Sequence, residues 1–243
     1  MKLALSQSYF FPYIGYFQLI NAVDKFILYD WVNYIKRGWI DRNRVIILPS
    51  GETYIKIPVK KRSSNKLIKD LAICNEYPWK EKIVKQLKYN YARYPFYKDI
   101  FPFFEYLLNT TNSQRLTDFN FKTITAIARL LEIKTSITIA GDKYSALEND
   151  LKTKQESYDI KTRRIIAICK QENAETYINA IGGQSLYSKE IFQKEGINLF
   201  FIRKQVYQEK TNKIPDLSIM DVLFRFGIKE TKKLLNCFDL IGD

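Results

Sequence analysis

The spacing of apolar runs in the first thirty residues constrains the fold most strongly. Residues 3–5 predict a short strand, residues 6–15 a loop punctuated by proline and glycine, and residues 16–22 a short helix. A second apolar run, residues 25–30, follows at once. Strand, loop, helix and strand within about 30 residues is the spacing of a βαβ unit, in which two parallel strands enclose a helix.

The periodicity of the remaining chain predicts further strands and helices. Residues 79–133 follow a helical period in three segments, which predicts a helical insert or cap. Strands are expected at 44–48, 53–59, 135–140, 176–181 and 198–202, helices at 161–171, 188–194, 219–226 and 230–238, and a mobile loop at 141–159.

The alternation of these elements predicts an α/β fold. Its Rossmann-like βαβ core would consist of mainly parallel strands, with a helical insert and C-terminal helices. Residues 1–78 would form an N-terminal α/β part with the ligand loop, and residues 79–133 the insert or cap. Residues 134–243 would form a second α/β part that completes one compact domain.

The chain has no histidine among its 243 residues. This absence excludes Ser-His-Asp and Cys-His catalysis, HExxH zinc sites and the histidines of HxGH-type nucleotidyl transfer. An enzyme with this sequence would depend on carboxylates, Lys or Arg, Tyr, backbone amides or a metal with oxygen ligands. The cysteines Cys74, Cys169 and Cys237 form no CxxC motif, which indicates free thiols in a reducing compartment rather than a metal site.

The charge balance points to an anionic partner. Lys and Arg number 39 against 26 Asp and Glu, a formal net charge of +13. Such a charge favours nucleotides, nucleotide-linked sugars, RNA or a membrane surface. No apolar run approaches the roughly 18 residues that span a bilayer, and the apolar N-terminus is too short for a signal peptide. We therefore expect a cytoplasmic protein without a transmembrane segment.

Residues 7–18 are the first candidate ligand segment. A strand end, a Pro/Gly loop and a helix start present backbone amides and a helix dipole to an anion, with Gln7 and Gly15 as candidate binding residues. Tyr13 and Tyr16 occupy the histidine positions of an HxGH-like spacing, so Tyr13 is a candidate catalytic residue and Tyr16 a candidate binding residue. The alternative is a tight turn with packed aromatic rings.

Residues 30–44 are the second candidate, because they follow a βαβ strand and combine cations with aromatic rings. This combination suits a phosphate beside a stacked ring and would equally suit single-stranded RNA. A solvated basic surface loop is the alternative. The candidate catalytic residues are Asp30 and Lys36, and the candidate binding residues are Trp31, Tyr34, Arg37, Trp39, Arg42, Asn43 and Arg44.

Residues 177–187 are the third candidate. Gly182 and Gly183 follow a predicted strand, where glycine lets the backbone approach a ligand closely. An ordinary turn explains the glycine pair equally well. The candidate binding residues are Tyr177, Asn179, Gly182, Gly183 and Tyr187.

In combination, these segments resemble the WbqC-like protein family. Four positions depart from the family pattern: Ser8 replaces a proline, Trp31 replaces an aspartate, and Ala140-Gly141 replaces a pair of serines. The resemblance implies a bacterial protein of O-antigen or other surface-polysaccharide biosynthesis. The residues that carry it are 9–20, 24, 29–30, 34–39, 42–44, 168–170, 177–179, 182–183, 186–187 and 217–223.

The residues and the resemblance together favour an enzyme. We expect a transferase that adds an acyl or aminoacyl group to the amino group of a nucleotide-linked amino sugar, with acyl-CoA or ATP as candidate cosubstrates. Asp30 would be the general base, and the cations of residues 36–44 would hold the diphosphate. Two alternatives stay open: ATP-dependent adenylyl transfer on a degenerate HxGH-type fold, and a non-catalytic nucleotide-sugar or RNA-binding protein. No stable nucleic-acid partner is expected.

Overall fold

A six-stranded sheet forms the centre of the computed structural model. The structure describes residues 1–47, 51–153, 158–205 and 216–242. The strands are β1 (Lys2–Ser6), β2 (Lys25–Leu28), β3 (Arg42–Ile46), β4 (Glu52–Lys56), β5 (Ser136–Ile139), β6 (Thr176–Ala180), β7 (Asn198–Lys204) and β8 (Phe238–Ile241). The α-helices are α1 (Ile14–Asn21), α2 (Trp79–Tyr91), α3 (Tyr97–Thr110), α4 (Leu116–Leu130), α5 (Ser145–Thr153), α6 (Ile160–Gln171), α7 (Lys189–Lys194) and α8 (Ile219–Leu234).

The strand order of the central sheet is β5-β2-β1-β6-β7-β8. The first five strands are parallel, and β8 pairs antiparallel with β7. The chain moves outward from β1 through β2 to β5 and then returns to β6 on the other side of β1. The strand order therefore reverses between β1 and β6. The predicted α/β fold with a mainly parallel core is confirmed, and its order is compatible with a Rossmann-like arrangement.

Both faces of the sheet are covered, which explains why its inner strands are continuous apolar runs. Along β2, Phe26 and Leu28 face one hydrophobic core, whereas Ile27 and the following Tyr29 face the other. This alternation follows from the two-residue period of a strand. Helices α1, α4 and α8 contribute to the first core and helix α6 to the second.

The helices predicted within residues 79–133 are present as α2, α3 and α4. The two strands predicted around residues 44–59 form a separate antiparallel hairpin, β3–β4. The predicted division of the last helix at Gly227 is a kink, where φ is 67°. Across the described ranges, every helix is too short or too polar to cross a lipid bilayer.

The structure corrects two predicted elements. Residues 141–153 form a 3₁₀ turn followed by α5 instead of a mobile loop, because Tyr144, Glu148 and Leu151 are buried at helical spacing. The helix predicted at 230–238 ends at Leu234, and β8 follows as an edge strand that hydrogen-bonds to β7. Helix α5 was not predicted because its residues are mostly polar, and strand β8 was not predicted because it is short.

Glu172, directly after α6, joins that helix to the start of β2. Its carboxylate accepts hydrogen bonds from the ammonium of Lys25 at 2.6 Å, from Lys143, and from the hydroxyl of Tyr144 at 2.5 Å. Its side chain is only 6% exposed. Burial alone would raise the pKa of Glu172, but the three donors outweigh burial and lower that pKa to about 2.

We predict that Glu172→Gln removes a pH-dependent part of the stability. The folded-state pKa lies below the ordinary value of 4.5, so the carboxylate stabilises the fold above that pH. This contribution is lost as the pH falls towards 2. The variant should lose about 3 kcal/mol of unfolding free energy near neutral pH, and its stability should decline less between pH 4.5 and 2.

Urea unfolding at several pH values measures this difference. Glu175→Gln is the control, because its carboxylate is 83% exposed and its stability should follow that of the wild type. Equal pH slopes for the wild type and Glu172→Gln would contradict the prediction.

Candidate functional site

A cavity of about 800 Å³ opens at the carboxyl ends of β2, β1, β6 and β7. Leu5, Ser6 and Gln7 line it at the end of β1, and residues 179–183 line it at the end of β6. The strand order reverses between these two strands, and open α/β sheets bind ligands at such a point. The volume is typical of a small-molecule site. This space is called the switch-point cavity below.

Five tyrosines line the switch-point cavity. The ring of Tyr177 is held by stacking on Phe192, with a centroid distance of 6.0 Å and an interplanar angle of 13°. Burial, and then the neighbouring Asp216 and Tyr9, raise the pKa of Tyr13 to about 12. The hydroxyl of Tyr13 therefore stays protonated at physiological pH and can donate a hydrogen bond to a ligand. The five are Tyr9, Tyr13, Tyr29, Tyr177 and Tyr187.

Arg164 is a cation held rigidly in the cavity wall. Its guanidinium pairs with the carboxylate of Glu148 through two nitrogens, at 2.5 and 2.9 Å. The hydroxyl of Tyr29 donates to the same carboxylate. Glu148 is 1% exposed, so this pair is desolvated and its geometry is fixed. Hydrogen bonding to Glu148 is the main reason why the pKa of Arg164 is raised.

Lys161 lies in the first turn of α6 and also lines the cavity. The positive end of this helix already has a cap, because Asp159 accepts hydrogen bonds from the backbone amides of Lys161 and Thr162 at 2.8 and 3.3 Å. The backbone of this turn is therefore less available to an anion. The side chains of Lys161 and Arg164 would have to hold one.

Lys204 and Asp216 form an ion pair at the β7 end of the cavity. Among the described lining residues, Asp216 is the one carboxylate, against three cations: Lys161, Arg164 and Lys204. Arg164 is paired with Glu148 and Lys204 with Asp216, so the excess positive charge of the cavity comes from Lys161. No group of three or more Cys, Asp or Glu side chains that could hold a metal ion occurs within the described part of the chain.

Asn179 and Gly183 fit together at the end of β6. The Oδ1 atom of Asn179 accepts a hydrogen bond from the backbone amide of Ala180 at 2.8 Å. A Cβ atom on Gly183 would lie 2.5 Å from Nδ2 of Asn179, whereas a Cβ on Gly182 would have no neighbour within 4 Å. Packing against the Asn179 amide thus requires the second glycine of the pair, and the first lies beside open space.

The loop after β1, residues 7–13 (the β1 loop), carries Gln7, Tyr9 and Tyr13 to the cavity. Most of it is buried, so its backbone carbonyls require donors from the protein. Phe11 has a φ of 42°, a left-handed conformation that a non-glycine residue adopts only when its surroundings hold it. The shape of this loop therefore depends on its partners.

Distant elements supply these donors. The amide of Asn43, in β3, donates to the carbonyls of Phe10 and Phe11 at 3.0 and 2.8 Å. The amide of Asn120, in α4, donates to the carbonyls of Ser8 and Ile40 at 2.8 and 2.9 Å. Three further donors are the Tyr16 hydroxyl to Gln7, the Ser218 hydroxyl to Phe11 and the Ile219 amide to Pro12, each at 2.8 Å.

The structure brings only part of the predicted site together. Residues of the first and third candidate segments converge on the cavity although about 160 positions separate them in the sequence. The second candidate segment lies largely elsewhere. The predicted residues that line the cavity are Gln7, Tyr13, Gly15, Tyr177, Asn179, Gly182, Gly183 and Tyr187, and those outside its lining are Tyr16, Asp30, Trp31, Tyr34, Lys36, Arg37, Trp39, Arg42, Asn43 and Arg44.

The cations of the second segment lie on the β3–β4 hairpin and before it. Arg42 stacks on Tyr54 at 4.5 Å, and Arg44 stacks on Trp39 at 5.2 Å and pairs with Glu52 at 2.8 Å. Lys36 and Arg37 are exposed ahead of the hairpin. These positions differ from the expected diphosphate site, because the chain leaves the sheet edge after β2 and enters the hairpin.

The other residues of this segment have structural partners. The Tyr34 hydroxyl donates to buried Asp41 at 2.9 Å. Asp30 is 2% exposed, accepts a hydrogen bond from the Gly141 amide at 3.3 Å, and has a pKa raised by burial. The indole of Trp31 donates to the Gly141 carbonyl. Asp30 therefore does not line the switch-point cavity, where a general base acting on its ligand would lie.

Sequence reasoning missed six titratable residues among those that line the cavity. The positions of Lys161 and Arg164 could have been predicted, because both lie at the start of a helix that precedes a parallel strand, and such a helix begins at the carboxyl edge of the sheet. The same reasoning applies to Lys204 at the end of β7. The six are Tyr9, Tyr29, Lys161, Arg164, Lys204 and Asp216.

We predict that Asn120→Asp disrupts the β1 loop. The substitution puts carboxylate oxygens in a fully buried position opposite two carbonyl oxygens, so the unfolding free energy should fall by about 3 kcal/mol. Chemical denaturation measures the change. Asn109→Asp, at an exposed position of α3, is the matched control. A loss no larger than that of the control would count against the role given to Asn120.

Comparison with known proteins gives two matches in sequence and none in structure. A model of the WbqC-like protein family matches residues 7–233. A protein of Mycobacterium tuberculosis described as uncharacterized, Rv1507c, is 27% identical over 241 residues, which cover 97% of this chain and 98% of the relative. No solved structure matches the chain significantly.

Proposed function

The chain belongs to the WbqC-like protein family, and from this premise we propose that its switch-point cavity binds a nucleotide-linked amino sugar. The protein would transfer an acyl or aminoacyl group to the amino nitrogen of that sugar. The product would enter a surface polysaccharide such as the O-antigen of lipopolysaccharide. Because nucleotide-linked sugars are made in the cytoplasm, the reaction would take place there.

The observation that carries the proposal is the convergence of cations and tyrosines on one cavity at the strand reversal. Lys161 and Arg164 would hold the diphosphate, and the rigid pairing of Arg164 with Glu148 reduces the entropy lost on binding. The Tyr9 or Tyr187 ring would stack on the base or on the sugar. Asn179 would orient a sugar hydroxyl through its Nδ2 amide.

In the proposed mechanism Asp216 takes the role of general base that was expected of Asp30, because Asp216 lines the cavity. The amino nitrogen attacks the carbonyl carbon of the donor, a C–N bond forms, and the bond from that carbon to the leaving group breaks. The Asp216 carboxylate accepts the proton that the nitrogen loses. The protonated hydroxyl of Tyr13 donates a hydrogen bond to the carbonyl oxygen as negative charge develops there.

The alternatives have less support. Adenylyl transfer on an HxGH-like loop would need a phosphate contact at the position of Tyr16, but this hydroxyl donates to the Gln7 carbonyl and its side chain is buried. The basic residues that suggested RNA binding lie on the hairpin, away from the cavity.

We predict that Lys161→Ala weakens binding of a nucleotide-linked amino sugar about tenfold, since a charge-assisted hydrogen bond to phosphate is lost. Isothermal titration calorimetry with UDP- and dTDP-linked amino sugars measures this Kd. Lys170→Ala, at another exposed position near the other end of α6, is the control and should bind like the wild type. If neither the wild type nor the variants bind any of these sugars, the proposed function is wrong.

We predict that Asp216→Asn lowers kcat about 100-fold, because the variant cannot accept the amine proton. Its Kd for the nucleotide-linked sugar should stay within about threefold of the wild-type value, because the diphosphate contacts are intact. Product formation followed by mass spectrometry gives kcat. The control is Asp142→Asn, whose side chain is 91% exposed. A wild-type kcat in Asp216→Asn would rule out this proton acceptor.

A further inference from the structure

Two large aliphatic side chains are exposed at the mouth of the switch-point cavity. Ile35 is 55% exposed and Leu186 is 47% exposed, and both line the cavity. Val32 lines the same space. Single exposed aliphatic residues are common on protein surfaces, but several that line one cavity offer an apolar surface to its ligand.

The apolar residues after β2 and the Lys204–Asp216 pair lie at different strands. Ile35 and Val32 follow β2, whereas Lys204 and Asp216 lie at the β7 end. Between these strands lie β1 and β6, so the distance across the cavity is about 14 Å at the usual strand spacing. A cavity of this width has room for a charged acceptor beside a less polar donor.

The charge of the cavity distinguishes an acyl from an aminoacyl donor. An aminoacyl group carries an ammonium, which needs a carboxylate partner when it is desolvated. The one carboxylate among the described lining residues, Asp216, is paired with Lys204 and in the proposed mechanism serves the amine of the acceptor sugar, so it cannot also pair with a donor ammonium. The Glu148 carboxylate is likewise paired with Arg164, and Lys161 would repel a further cation. An uncharged acyl group needs no carboxylate partner and is not repelled by a cation.

From these observations we infer that the transferred group is an aliphatic acyl group, delivered as a thioester, whose chain lies against Ile35 and Leu186. This inference rests on the proposed function. The sugar amine attacks the thioester carbonyl carbon, the C–N bond forms and the C–S bond breaks. Asp216 takes the proton from nitrogen and passes it to the departing sulfur, so the products are an amide and a thiol.

Two coenzyme A thioesters test the charge argument. Propanoyl- and glycyl-coenzyme A have nearly the same shape, but glycyl carries an ammonium where propanoyl has a methyl group. Calorimetric titration of the wild type without sugar should give a Kd about tenfold lower for the propanoyl thioester. Equal binding of the two, or tighter binding of the glycyl thioester, would overturn the inference.

A chain-length series tests the apolar contact. From acetyl to propanoyl to butanoyl, the wild-type Kd should fall about threefold for each added methylene. In Leu186→Ser this factor should fall to less than twofold. Leu240→Ser is the matched control, because Leu240 is also 47% exposed but lies in β8 and does not line the cavity. Equal factors in the two variants would also overturn the inference.

Titration of the same preparations with nucleotide-linked amino sugars separates the two proposals. If sugar binds while thioester affinity is independent of chain length, the inference fails and the proposed function stands. If no sugar binds, the proposed function fails whatever the thioesters show.

Discussion

The shape of the candidate site depends on hydrogen bonds to the backbone of one buried loop. The β1 loop turns away from the sheet within seven residues, so its carbonyl groups have no strand partners. A buried carbonyl without a donor costs about 1–3 kcal/mol, and this loop contains several. The amides of Asn43 and Asn120 each satisfy two carbonyls, one or both of them in the loop. Without these donors, the left-handed conformation at Phe11 would not be maintained.

This requirement connects parts of the chain that could otherwise be regarded as additions to a parallel sheet. Asn43 lies in the hairpin, Asn120 lies in the helical insert, and Ser218 is the residue that caps the last helix. Each element reaches the β1 loop from a different direction and buries its own apolar face in the same core. The insert therefore supports the wall of the cavity although its helices do not line it. A polar residue buried at such a position acts through geometry rather than through contact with a ligand.

The sequence predicts the parallel core well because strands buried on both faces are continuous apolar runs, as at residues 3–5 and 25–28. It also predicts that Gly183 lies near a ligand space, since the carboxyl ends of parallel strands share one edge. It does not locate Arg42, because a basic aromatic segment has the same composition in a cavity or on a hairpin. It does not predict the pair of Arg164 with Glu148, which are sixteen positions apart. Glu148 lies in helix α5, and the polar composition of that segment predicted a loop.

The absence of histidine is consistent with the kind of site that the structure forms. A histidine near neutral pH alternates between hydrogen-bond donor and acceptor, which makes it a proton shuttle and also makes its charge depend on pH. The hydroxyl of Tyr13, with a pKa of about 12, remains a donor over the whole physiological range. The guanidinium of Arg164 keeps its charge at every physiological pH. In the proposed mechanism these groups hold a phosphate and polarise a carbonyl without titrating, and proton transfer is assigned to Asp216, the single carboxylate among the described lining residues.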